Sequence, residues 1–261
     1  MRTLIFIISL VLFHNAIGQT PVQQSRPGEG EIGIFERLDE YLPDSIMIID
    51  HLGIKHNILN LLDKPTVIAL VYYRCPGICS PFMNAMADVI NSSNLEIGKD
   101  YQILNISFDP SEGVQLALSN RNNYHNLISK EFDENGWKFF VADAEDIDKL
   151  TNAVGFKYKR TGLDFAHSSA MIFVSTSGKI TRYLHGTYFL PIDLKMAVIE
   201  TADNKSGPSL SRLLAYCYAY DPAGQRYVMN ITKVSGTVIL FFSLIGLLFL
   251  ILKPRKKVQT N

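Results

Sequence analysis

The chain has 261 residues, with 25 Lys or Arg against 25 Asp or Glu, so its formal net charge is zero. That balance argues against nucleic acid as a partner. Three cysteines cannot all pair, and a chain of this length builds a core without disulfide staples. Cysteine used this sparingly points to chemistry rather than scaffolding.

Met1-Arg2, an apolar run from Leu4 to Phe13 and the small residues around Ala16-Ile17-Gly18 read as a signal peptide over residues 1–18, cut after Gly18. An uncleaved N-terminal anchor is the alternative. Residues 19–40, opening with a stretch rich in Pro, Gly, Gln and Ser, read as a flexible leader. A folded domain is expected over residues 41–202. Its first strand is expected over 46–49, with a turn at Asp50-His51-Leu52-Gly53 and a return segment over 54–62. The β-branched and aromatic run Val67-Ile68-Ala69-Leu70-Val71-Tyr72 predicts a buried central strand, broken by Pro76-Gly77 and followed by a helix over about 80–91.

A second strand is expected over 102–107, with Asp109-Pro110-Ser111-Glu112 starting a helix to about residue 123. A third strand over 138–141 leads to a helix ending near Val154, with Asp143, Glu145 and Asp146 at the positive end of its dipole. Residues 170–174 and 179–184, joined by Ser175-Thr176-Ser177-Gly178, read as a β-hairpin, and Pro191 opens a last helix. Alternating strands and helices imply a parallel core, and the hairpin supplies an antiparallel edge. This is the order of an α/β, thioredoxin-like domain.

Beyond it, residues 203–233 form a link too apolar for a plain spacer. Residues 234–252 are nineteen residues without a charge. At about 1.5 Å rise per residue they would span roughly 28 Å, close to a bilayer's hydrocarbon thickness. The basic tail over 253–261 follows, and positive flanks stay cytoplasmic. The expected topology is an exported body on a single C-terminal transmembrane helix.

Cys75 and Cys79 lie where an open α/β sheet places its chemistry, in a loop at the C-terminal end of the central strand. Four residues apart on a helical turn, two sulfurs can bridge, chelate a metal or cycle between thiol and disulfide. The spacing alone does not choose among these. His167 precedes the late hairpin, on an entry loop facing the cysteines. Two thiolates and an imidazole suit copper or zinc. Asp109-Pro110 reads first as a cap and turn, and Asp109 also qualifies as a supporting or docking residue. Met83 and Met86 read as core packing and Cys217 as a packed or free thiol. His51, His56, His125 and His185 default to the surface.

Three motifs in register carry a resemblance. Cys75-Pro76-Gly77-Ile78-Cys79 follows an aromatic-rich strand, Ile106-Ser107-Phe108-Asp109-Pro110 follows the next, and Ala166-His167-Ser168 precedes the hairpin. Together with Gly136-Trp137-Lys138-Phe139 and Cys217-Tyr218-Ala219-Tyr220-Asp221-Pro222, the chain resembles the SCO/SenC family of membrane-anchored copper proteins serving cytochrome c oxidase assembly. The resemblance implies copper, Cu(I) or Cu(II), bound by Cys75, Cys79 and His167. It implies a metallochaperone role toward the copper-site subunit of the oxidase, with a further thiol protein as reductant, in the periplasm at a bacterial inner membrane. The alternative is an enzyme, a thiol–disulfide reductase with Cys75 and Cys79 as its redox pair. The chain departs from the family pattern at Ser80, at Ala166 and at Glu112-Gly113, where other members carry a second aspartate.

Overall fold

The computed structural model describes residues 32–162, 164–207, 218–221, 226–229, 235–236 and 239–246. A seven-stranded sheet organises it, in the order β11-β10-β4-β5-β6-β2-β3. Its centre is β4 (Thr66–Val71) and β5 (Gln102–Ser107), every residue of which is buried. Strands covered on both faces read as continuous apolar runs, which is why β4 was legible as Val-Ile-Ala-Leu-Val. Each such aliphatic side chain contributes about 1.5–3 kcal/mol by leaving water.

β4, β5 and β6 (Trp137–Val141) run parallel. On one edge β10 (Ala170–Val174) pairs antiparallel with β4 and hands on to β11 (Ile180–His185). On the other, β2 (Met47–Asp50) pairs antiparallel with β6, and β3 (Lys55–Asn57) closes the edge.

The crossovers are α1 (Cys79–Ser92) between β4 and β5, and α2 (Val114–His125) between β5 and β6. Two crossovers stepping in the same direction lie on one face of the sheet, because each is right-handed. α1 buries Cys79, Phe82, Met83, Met86 and Val89, an i, i+3, i+4 stripe. α3 (Ala144–Ala153) packs against β7 (Phe156–Lys157), and α4 (Pro191–Ala202) packs against β10, β11 and α1.

The expected leader over 19–40 needs correction from residue 32 onward. β1 (Gly33–Ile34) pairs with β7, and the Phe35 N–H donates to the Gly155 carbonyl at 2.8 Å. The Asp39 N–H donates to Ile180 and the Ile180 N–H to Glu40, at 3.0 and 2.8 Å. These partners lie more than a hundred residues away along the chain, so no local pattern announces them. Two further strands, β8 (Lys159–Thr161) and β9 (Asp164–Ala166), form a small hairpin before β10 that the sequence also left unseen.

β12 (Tyr218–Asp221) and β13 (Arg226–Met229) pair within the region read as a link. Residues 1–18, Cys217 and the tail over 253–261 lie outside the described residues. Of the expected span over 234–252, residues 235–236 and 239–246 are described, and they are helical. Among the described residues no helix is long and apolar enough to cross a membrane.

Gly155 tests how firmly the N-terminal segment is held. It sits at φ +67°, and a Cβ there would collide with the Phe35 carbonyl oxygen. Gly155→Ala should cost about 1–3 kcal/mol through backbone strain and loss of that contact. The urea midpoint should fall, and protease should cut ahead of residue 41 more readily. An unchanged midpoint and cleavage pattern would show that the segment does not depend on Gly155.

Candidate metal centre

The site begins where the chain leaves β4. β4 ends at Val71, a turn follows in which the Cys75 N–H donates to the Tyr72 carbonyl at 3.2 Å, and helix α1 starts at Cys79 without any side-chain cap at Ile78. The first N–H groups of a helix have no partner within it. Here the sulfur of Cys75 takes the first of them, that of Cys79, and also the N–H of Gly77 ahead of the helix, each 3.4 Å from Cys75 Sγ. Cys75 is half-buried and Cys79 is 5 % exposed.

β10 delivers the third residue. Because β10 runs antiparallel to β4, with Met171 opposite Ala69, its entry lies beside the exit of β4. His167 therefore reaches the cysteine loop, and its Nε2 stands 3.5 Å from Cys79 Sγ. Its Nδ1 lies 2.9 Å from the Ser168 carbonyl oxygen. A carbonyl only accepts, so Nδ1 carries the hydrogen and Nε2 presents its lone pair toward the sulfurs. The rings of Phe108, Tyr72 and Phe156 surround the imidazole at centroid distances of 5.0, 5.8 and 6.0 Å.

The electrostatics follow from this packing. Burial holds the His167 imidazole below its ordinary pKa of 6.5, and only the Ser168 carbonyl opposes it. The ring is thus neutral, the form that ligates metals. Burial also pushes the Cys79 thiol well up, with Cys75 and Glu112 adding to the effect and a backbone hydrogen bond at Tyr72 opposing it. Such a thiol keeps its proton against water alone and gives it up to a metal ion, whose charge compensates the thiolate.

The ligand atoms of Cys75, Cys79 and His167 all lie within 4.8 Å of one another. Bonds of about 2.3 Å to sulfur and 2.0 Å to nitrogen put the donors of a three-coordinate site roughly 4 Å apart. The trio fits a metal ion after a contraction of under about 1 Å. Two soft thiolates with one imidazole select copper or zinc over the hard oxygen-seeking cations. The cleft beside the sulfurs, lined by Tyr73, Ser80, Asn120 and Tyr124, has a volume of about 10 Å³. That is room for about one water.

Asp109 stands apart from this trio. Its Oδ1 accepts from the Ser111 N–H at 3.0 Å and the Ser111 hydroxyl at 2.8 Å. The same oxygen is 3.7 Å from the Arg160 guanidinium, which lies 4.7 Å over the Phe165 ring. Asp109 is a turn cap that also ties down the β8–β9 hairpin, the arm leading to His167.

Met83 is buried, and Asn105 Nδ2 lies 2.7 Å from its sulfur. Asn105 Oδ1 in turn accepts from Trp137 Nε1 at 3.0 Å, so Met83 belongs to a core network. His125, expected at the surface, is buried, and its Nε2 donates to the Trp137 carbonyl at 2.8 Å. His56 and His185 pair with Asp50 and Glu36, both at 2.8 Å.

Sequence reasoning missed Glu112. Its buried carboxylate accepts from the Tyr73 and Arg74 N–H groups at 2.7 and 2.8 Å and from the Ser107 hydroxyl at 2.7 Å. The only signal was a departure, since Glu112-Gly113 stands where an aspartate was expected.

With this geometry in hand, comparison with known proteins is informative. A family model described as SCO1/SenC matches residues 45–201. Among solved structures, the chain is similar to a candidate electron-transfer protein of Aquifex aeolicus, at 26% identity and TM-score 0.58, covering 64% of this chain and 95% of that one. It shares its fold with Arabidopsis thaliana ScoI, solved with copper bound, at 20% identity and TM-score 0.50, covering 61% and 96%. It also shares its fold with BsSco, a Sco-family cytochrome c oxidase assembly protein in which a disulfide switch was identified. That match has 17% identity and TM-score 0.50, covering 65% and 97%. A search of curated proteins found no match.

The neutral imidazole gives a direct test. In an NMR titration of the metal-free protein, His167 should titrate below 6.5. Between that midpoint and 6.5 the unfolded chain binds more protons than the folded one, so this histidine makes stability fall as pH falls. A midpoint at or above 6.5 would show that the ring is not desolvated.

Proposed function

The chain belongs to the SCO1/SenC family, and on that premise we propose that it is a copper metallochaperone for cytochrome c oxidase assembly. The observation that carries this reading is the convergence of Cys75, Cys79 and His167 at the C-terminal edge of the parallel strands. The structure of Arabidopsis thaliana ScoI, solved with copper bound, supports copper as the ion carried. The acceptor in this reading is the copper-site subunit of the oxidase.

The residues divide the work. Cys75 and Cys79 hold the ion as thiolates, and His167 adds a neutral nitrogen that neither brings charge nor needs to lose a proton. Cys75, the more exposed sulfur, is the one an incoming acceptor thiol can displace first. Transfer then proceeds by exchange of one ligand at a time, so the ion is never released to water.

Oxidation controls the cycle. When Cys75 and Cys79 form a disulfide by exchange with a disulfide on a second protein, that protein takes up the two electrons and two protons as a dithiol, and both thiolate ligands disappear together. Loading copper again requires a two-electron reductant, which a dithiol protein supplies by becoming a disulfide itself. The disulfide switch of BsSco supports this coupling. The apolar stretch over 234–252 serves in this reading as the membrane anchor, with the folded domain on the exported side. Confinement to the acceptor's membrane raises the effective concentration of the pair.

A thiol–disulfide oxidoreductase acting on the acceptor's cysteines is the second reading, favoured by the proximity of two free thiols in a thioredoxin-like loop. His167→Ala separates the two. The full chain, reduced without oxygen, loaded with copper and desalted, should retain one copper with a thiolate-to-Cu(II) charge-transfer band. The variant should lose more than about tenfold in copper affinity while still reducing a disulfide substrate. A parent protein that retains no copper while its thiols titrate as free would overturn the chaperone reading and leave the reductase.

A further inference from the structure

We infer that Glu112 is a positioning residue for the cysteine loop, fixing through its carboxylate the 72–73 and 73–74 peptide units that lead into Cys75. This rests on the copper reading of Cys75, Cys79 and His167. Hydrogen bonding at the end of β4 shows why such a residue is needed. The Phe108 N–H reaches the Val71 carbonyl at 2.9 Å and carries the β4–β5 ladder one step past the strand. Beyond it the chain turns out of the sheet, and the Cys75 N–H returns to the Tyr72 carbonyl at 3.2 Å. The N–H groups of Tyr73 and Arg74 are left without strand partners, and a buried unpaired N–H is costly.

Glu112 meets both. Oε2 takes the Tyr73 N–H at 2.7 Å, and Oε1 takes the Arg74 N–H at 2.8 Å. The Ser107 hydroxyl adds a third bond to Oε2 at 2.7 Å, and the residue is 4 % exposed. The Glu112 N–H donates to the Asp109 carbonyl at 3.1 Å, which sets the backbone of this turn as well. One side chain thus spans two successive amides and sets the plane between them, one residue ahead of Cys75. A carboxylate is suited to this because both of its oxygens only accept. A glutamine there would oppose one backbone N–H with its own NH₂ group. Burying a carboxylate is expensive unless its oxygens find donors, and here three donors occupy three of its roughly four lone-pair sites.

The test uses the full chain and Glu112→Gln, with Glu96→Gln as a control at an exposed position on the opposite side of β5's entry. Copper affinity is read by competition with a chelator, together with the position of the thiolate-to-Cu(II) band. In the copper-free protein, the Cys75–Cys79 dithiol–disulfide equilibrium is read against glutathione, where each disulfide formed converts one glutathione disulfide to two thiols.

With the far-ultraviolet circular dichroism unchanged, Glu112→Gln should lose about 10- to 100-fold in copper affinity, as outer-layer substitutions at metal sites do. Its band should be displaced and its dithiol–disulfide equilibrium altered. Glu96→Gln should match the parent in all three. A folded Glu112→Gln protein with the parent's affinity, band and equilibrium would overturn the proposal. If Glu112→Gln does not fold, Ser107→Ala, which removes one donor and leaves the carboxylate, decides: a displaced band supports the role and an unchanged one overturns it. If the parent holds no copper, the copper reading fails by itself. The dithiol–disulfide equilibrium of Glu112→Gln then decides for or against Glu112 alone.

Discussion

The pairing of β10 with β4 is the constraint on which the site depends. Ala69 opposite Met171 places the entry of one strand beside the exit of the other, and so brings together residues 88 positions apart. A slip of one residue would move His167 by about 3.3 Å and turn its strand's side chains to the opposite face. Val67, Ile68, Ile172 and Phe173 are all buried, so any slip would carry apolar side chains to the wrong layer. The register that builds the core is the register that assembles the metal centre.

Around that frame, the environments of the ligands complement one another. An aromatic shell of Phe108, Tyr72 and Phe156 keeps His167 neutral, and burial keeps Cys79 protonated in the absence of an ion. Cys79 becomes charged only when a cation arrives to compensate its thiolate, and His167 stays neutral throughout. On the proposed copper reading such a site selects by ligand softness, and oxidation of the pair would remove both sulfur ligands together. The same two thiols would serve a reductase, a reading in which His167 has no ligand role.

The arms that hold the ligands come from the exits of two neighbouring strands and from one hairpin. Glu112 secures the loop after β4 from the turn after β5, and Asp109 in that same turn reaches Arg160 on the β8–β9 hairpin. A five-residue stretch, Asp109 to Gly113, therefore touches both the cysteine arm and the histidine arm. It makes these contacts without contributing a ligand. An aspartate in a turn looks like a cap from sequence, and Asp109 is one. Its second contact exists only because the hairpin folds back across it.

By itself the sequence determined the buried parallel strands, the crossover helices and the late hairpin, because these rest on local periods, and it singled out Cys75, Cys79 and His167 as candidate ligands through motifs that resemble a family's. β4 and β5 are continuous apolar runs, α1 has its stripe at helical spacing, and Cys75 and Cys79 share one turn. Tertiary structure alone decided that residues from 32 onward pack on the domain, since β1 and Phe35 bond to partners around residue 155. It alone decided that His125 is buried and that Met83 answers to Asn105. It also decided that Glu112 belongs to the cysteine loop, across 38 and 39 residues of chain. A local pattern encodes which face of an element is apolar. Which distant donor meets which acceptor is fixed only when the strands find their register.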